Sequence, residues 1–394
     1  MIYISGRLFY NVTEFDQKGL FYMSKKSTNF ELLRILLTLF IPVYHWFLYN
    51  GIYYVSGEPN AVHSLFWFTG VPFTCLYAFI SMSGFFLVKK KFSWNGKKLY
   101  SFIALLITLF IFKTVFINAL FPGWKMNYYV DTFFLKGAWW YVYPYLLIMV
   151  FYPLLNYVIY NISMYLLYFI TAILGIWFTI NSIQNNTIMF NDCIMFLFIY
   201  FVMGCIERRK ALNKPVVFYQ KYRKHILISI YIIGVVLHTI LSLYYNAAMS
   251  GANAEAATII MQKVHGRYNL LGLSGGIILF TLFKDIEIPY AAIIHKISKI
   301  TLFVFLLHES VMAIFWSFEI KSAEYLTYLP ATEFWGWLGL YLILVFVAAA
   351  IMYKLYYTLA APLWNYLINP LSESAFTKKW EQLYSKLDRR KDNV

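Results

Sequence analysis

Apolar residues in this chain fall into ten blocks, near 30–49, 64–88, 99–121, 139–160, 164–181, 191–206, 225–246, 269–283, 300–319 and 334–357. Most are about twenty residues long, the length at which a helix crosses the hydrocarbon core of a bilayer. Inside lipid every backbone N–H and C=O must be satisfied within the protein, so each block must be helical. A transmembrane barrel is excluded, because its strands read as shorter segments of alternating polarity. The expected fold class is therefore all-α: a polytopic transmembrane helix bundle of about ten spans. Composition agrees, with 61% hydrophobic and 13% charged residues, against about 25% charged in soluble domains. An ordinary cytosolic enzyme and a disordered chain are both ruled out.

The 33 Lys and Arg residues outnumber the 18 Asp and Glu, for a net charge of +15. They sit mainly in the loops between apolar blocks, with no basic-aromatic groove or zinc knuckle, so no nucleic-acid partner is expected. Counted by face, 25 lie on the side that holds both termini, the Lys89–Lys98 loop, the Glu207–Lys224 loop and the Lys284–Lys299 loop, against five on the other. The positive-inside rule then puts both termini in the cytoplasm of a cell membrane. The expected organisation is a cytoplasmic N-terminal segment at 1–29, a ten-span domain at 30–357 and a basic cytoplasmic tail at 358–394. Residues 1–22 lack the apolar core of a signal peptide, and the stretch from Met23 reads as a more natural start. Cys75, Cys193 and Cys205 all fall within apolar blocks without metal-ligand spacing, and read as small core residues. No metal site is expected.

Ionisable groups at membrane depth are costly, so each is a functional candidate. The first block is the densest. Glu31 and Arg34 are i, i+3 neighbours and can pair, and Asn29 is placed to cap the helix. Arg34 and His45 are eleven residues apart, about three turns and a rise of about 16 Å, and so project from nearly the same face. An arginine at the cytoplasmic mouth can grip phosphate bidentately. A histidine in a dry bundle can take a proton from a hydroxyl or accept an acyl group. The competing reading is interfacial snorkelling for Arg34 and helix packing for His45. Further along, Ser83-Gly84-Phe85 precedes Lys89, Lys90 and Lys91, which serve as a stop signal or as phosphate contacts. Trp139 and Trp140 open the fourth block, with Asn156 farther along it, and suit an interfacial belt or a sugar platform. In the ninth block His308 and Glu309 are adjacent. His238 stands alone among apolar neighbours and reads as structural. His63, His225, His265 and His295 carry no readable signal. The Gly272–Gly276 run lies within a block and reads as helix packing, not as a phosphate loop.

Asn29-Phe30-Glu31-Leu32-Leu33-Arg34 followed by His45 resembles the first-helix Arg-x10-His signature of the membrane acyltransferase-3 family of bacterial integral-membrane enzymes. Ser83 to Leu87 with its basic loop, Trp139 through Asn156, and Ile297 through His308 resemble later segments of that family, in the same order. Two departures are visible: lysines stand where arginines are common after Ser83-Gly84-Phe85, and Glu309 follows His308. The resemblance implies a stand-alone acyltransferase with no bound cofactor. It would transfer an acyl group, most often acetyl, from acetyl-CoA or another acyl-CoA to a hydroxyl of a surface glycan or lipid-linked saccharide. On that basis His45 is expected as general base or acyl carrier, with Arg34 holding the donor and Glu31 orienting Arg34. Ser83 and Lys89–Lys91 are expected on the donor side, and Trp139, Trp140, Asn156 and His308 on the acceptor side. The competing functions are a transporter or flippase of a glycan precursor, and a structural partner in polysaccharide assembly.

Overall fold

A computed structural model describes residues 17–49, 69–89, 94–120, 141–184, 189–209, 217–248, 270–317 and 330–389. The described residues form helices and connecting turns, with no strand. In chain order these are α1 (Gln17–Tyr49), α2 (Val71–Lys89), α3 (Gly96–Leu120), α4 (Val142–Asn161), α5 (Met164–Gln184), α6 (Met189–Arg209), α7 (Val217–Ala248), α8 (Leu270–Lys284), α9 (Ala292–Ser298), α10 (Thr301–Ser317) and α11 (Ala331–Leu355). A π-helical turn (Tyr356–Ala360) leads into α12 (Ala361–Glu373) and α13 (Ala375–Arg389). A helix falls on each of the ten apolar blocks. By length and composition, six stretches among the described residues can cross a membrane, in α1, α3, α4, α5, α7 and the run from α11 into α12. The apolar parts of α2, α8 and α10 are shorter. The outer helices leave large apolar side chains exposed, among them Phe169, Ile176 and Trp177 on α5 and Ile232, Ile233 and Ile240 on α7. Contiguous exposed apolar surface of this kind belongs against lipid.

The centre is built on α2, which packs against α8, α6 and α1. Phe30 of α1 meets Phe86 edge-on at 4.9 Å, and Phe85 meets Phe280 of α8 at 5.2 Å, so aromatic contacts tie these three helices together. The glycine run at 272–276 works as helix packing: a Cβ on Gly276 would lie 2.7 Å from the Ala78 amide nitrogen and the Thr74 carbonyl oxygen. The α2 and α8 backbones thus approach as only glycine permits. Gly70, with φ 68°, starts α2 against the His238 ring. His238 is buried there, as its structural reading requires.

Two expectations change. Asn29 does not cap a helix, because α1 runs on from Gln17; its side-chain amide instead donates to the Phe283 carbonyl near the end of α8, at 2.7 Å. Helix-end carbonyls need such outside donors. The stretch expected as a basic tail is largely helical and returns to the bundle. Trp364 donates to Thr108 (2.8 Å), Thr377 and Tyr100 share a hydroxyl hydrogen bond (2.7 Å), and Tyr384 donates to the Val150 carbonyl (3.3 Å).

Candidate functional site

A cavity of about 250 Å³ lies between α1, α2, α3, α4, α10 and the end of α11. Glu31 and Arg34 face it from α1, Ser83 from α2, Tyr141 and Tyr145 from the start of α4, Lys299 from the turn before α10, Tyr353 from the end of α11, and Tyr356 and Tyr357 from the π-helical turn. Apart from the start of α4, its walls come from the halves of these helices that adjoin the lysine-rich loops. A larger groove between α5 and α6 is open and apolar, and carries no ionisable lining besides Cys205 and Tyr168. Chemistry that needs charge belongs to the smaller cavity.

Local geometry sets each polar group. Arg34 pairs with Glu31 one turn back at 2.8 Å, with both side chains largely buried. Two charges in such a place need one another, since either alone would stay uncompensated. The Glu31 carboxylate therefore holds one edge of the guanidinium. Ser83 and Tyr141 exchange a hydroxyl hydrogen bond at 3.0 Å across the cavity. Thr28, one residue before Asn29, contacts His295 at 3.2 Å, which fastens α9 to α1 beside the opening.

His45 is not in the cavity wall. It lies deeper, buried, with Nδ1 in hydrogen-bond contact with Nε2 of His308. The two ring planes are 7° apart with centroids 4.6 Å apart. Phe305 connects the two places: its ring lines the cavity, and its carbonyl lies 2.6 Å from His308 Nδ1. Behind the histidines, the Lys113 ammonium of α3 stands 3.9 Å from the Glu309 carboxylate. The ligand atoms of His45, His308 and Glu309 lie within 4.8 Å of one another, a separation a transition-metal ion could bridge. The direct imidazole contact and the lysine beside Glu309 give the same three groups an arrangement among themselves.

The expected residues are distributed as follows. Glu31, Arg34 and Ser83 share the cavity, and His45 lies beyond its inner end. His308, expected on the acceptor side, is the direct partner of His45. Asn156, also expected there, is fully buried outside the cavity: its amide donates to the Leu87 carbonyl at 3.0 Å and accepts from Tyr200 at 2.7 Å. It clamps the end of α2 that carries Ser83. Lys89 is exposed, with its ammonium 4.4 Å above the Phe85 ring. Lys90, Lys91, Trp139 and Trp140 lie outside the described residues. Sequence reasoning passed over Lys113, the tyrosines and His295. Lys113 had a signal, a cation in mid-block; tyrosine is so abundant, with 35 residues, that no single one stood out.

A membrane bundle that is helical throughout its described residues, with a paired arginine on α1 and a buried imidazole pair joining α1 to α10, is the scaffold of a multi-pass membrane enzyme. The chain belongs to the acyltransferase-3 family: the family's sequence model, described as an acyltransferase domain, matches residues 27–357, most of the chain. That match includes α1 from Ser27 onward and the last cavity-lining tyrosine, and it ends within the π-helical turn that leads into α12. Comparison with curated proteins and with solved structures gives no match.

Proposed function

We propose that this acyltransferase moves an acyl group, acetyl in the simplest case, from a coenzyme A thioester to a hydroxyl of a cell-surface glycan or its lipid-linked precursor. The observation that carries this reading is the order along α1. A guanidinium held by Glu31 lines a cavity in the half of the bundle beside the lysine-rich loops, and an imidazole pair lies beyond that cavity's inner end. With ten spans and both termini in the cytoplasm of a bacterial inner membrane, that half faces the cytoplasm, where acyl-CoA is made.

In this reading the donor's phosphates are held at Arg34 and Lys299, by charge and by the planar guanidinium fork. The pantetheine arm lies along Tyr141, Tyr145, Tyr353, Tyr356 and Tyr357, and the thioester passes Phe305. The acceptor hydroxyl comes from the opposite side. His45 takes its proton as the oxygen bonds to the thioester carbonyl carbon; the C–S bond then breaks, and the coenzyme A thiolate leaves with that proton. No cofactor or metal is needed for this sequence.

Purified protein in liposomes with radiolabelled acetyl-CoA and a lipid-linked saccharide acceptor provides the test. Label should move to the acceptor, and His45→Ala should lower kcat by about 10²-fold or more while inserting into membranes at the wild-type level. Wild-type transfer by that variant would overturn the mechanism. Acceptor movement across the bilayer without acetyl-CoA consumption would place the protein with transporters.

A further inference from the structure

We propose that His308 is a positioning residue that fixes which nitrogen of His45 carries the proton. The inference rests on His45 acting as base in the acyl transfer proposed above. It begins at a carbonyl. The Phe305 oxygen can only accept a hydrogen bond, and it lies 2.6 Å from His308 Nδ1, so Nδ1 is the nitrogen that bears the hydrogen. A neutral imidazole has one N–H, so His308 Nε2 presents a lone pair. The atom facing that lone pair is His45 Nδ1, which must therefore be the donor. With both rings neutral, His45 is held as the Nδ1–H tautomer, and Nε2 is its basic nitrogen.

The ring geometry fits this chain of hydrogen bonds. Planes 7° apart, centroids 4.6 Å apart and a direct nitrogen–nitrogen contact describe two rings meeting edge to edge in nearly one plane. That is the alignment an N–H···N bond requires. His308 itself has little room to turn. It is fully buried, Tyr341 donates to its own carbonyl at 3.1 Å, and Tyr341 packs on Trp46, the residue after His45, at 5.2 Å. The carbonyl, His308 and His45 thus form a relay in which one backbone oxygen dictates the tautomer two rings away. Among the described residues, the charged groups close to this relay are Glu309 on α10 and Lys113 on α3. A base held in the wrong tautomer points its N–H at the group it should deprotonate, and the loss is large in hydrolases that depend on an oriented histidine. When His45 takes the acceptor's proton at Nε2, the ring becomes an imidazolium, and His308 Nε2 remains as the acceptor for its Nδ1–H.

The test uses the full-length protein in liposomes, with His308→Leu and His308→Gln. Leucine fills the space without an acceptor, whereas the glutamine amide oxygen can reach the position of Nε2. Leucine should lower kcat about 100-fold with KM for acetyl-CoA within about twofold, and glutamine should recover about tenfold of that loss. Solid-state ¹⁵N NMR of the histidine-labelled wild-type protein should show His45 protonated at Nδ1 and not at Nε2, an assignment that should be lost in His308→Leu. His45 protonated at Nε2 in the wild type would overturn the proposal, as would full kcat in His308→Leu or a glutamine variant no better than leucine. The NMR assignment does not depend on the reaction. A wrong acyl-transfer reading with a correct relay would therefore appear as the predicted tautomer in a protein that transfers no label.

Discussion

At the residue scale, the proposed chemistry turns on three groups of α1. Glu31 and Arg34 are locked as a pair facing the cavity, and His45 is handed to His308 deeper in the bundle. The helix spacing of Arg34 and His45 was legible in the sequence, and so was the Glu31–Arg34 pairing. What could not be read was the partner of His45, since a separation of 263 positions between the two histidines erases any local signal. The same distance hid the meeting of Lys113 with Glu309. The proposed grip on phosphate carries its own expectation. Arg34→Lys keeps the positive charge but loses the second edge of the fork, one edge being held by Glu31. KM for acetyl-CoA should rise about tenfold, with a smaller change in kcat, in steady-state assays at saturating acceptor. An unchanged KM would reduce Arg34 to a point charge.

At the scale of elements, the cavity exists because helices meet at fixed places. α2 carries Ser83 into the cavity wall, and two contacts fix its position. Asn156 and Tyr160 bind the carbonyls at its end, at 3.0 Å from Asn156 to Leu87 and 3.3 Å from Tyr160 to Val88. Gly276 lets α8 press on its middle. Periodicity and block length revealed that α2 and α8 exist, and the glycine run marked a packing face. The role of Asn156 was invisible, because a buried asparagine that clamps a neighbouring helix end reads along the chain like one that faces a sugar. Gly276→Ala should cost about 1–3 kcal/mol through forced separation of α2 and α8. That loss should appear as a lower thermal midpoint in detergent, and donor binding should weaken with it as Ser83 moves. The same substitution at Gly234 of α7, where nothing lies within 4 Å of the added Cβ, is the matched control and should leave both unchanged.

For the whole molecule, the two faces of the bundle differ. The basic loops mark one side, and the charged cavity occupies the half next to it. The orientation expected from lysine and arginine counts rests on loop charge, which is a local property of sequence. It predicts that inside-out membrane vesicles consume added acetyl-CoA while sealed right-side-out vesicles do not, until they are permeabilised. Equal rates from both preparations would contradict the orientation. The C-terminal region was less legible, since its charge pointed to a basic tail. In the fold, α12 and α13 return to α3: Trp364 holds Thr108, Thr377 holds Tyr100, and Glu381 accepts from the Gly96 amide at 3.3 Å. Ser101, Phe102 and Leu105, on that same stretch of α3, form part of the cavity wall. A chain ended at residue 357 would keep every side chain that faces the cavity and lose the strap that braces one wall from outside. The segment matched by the family and the helices packed into the bundle therefore end at different points along this polypeptide.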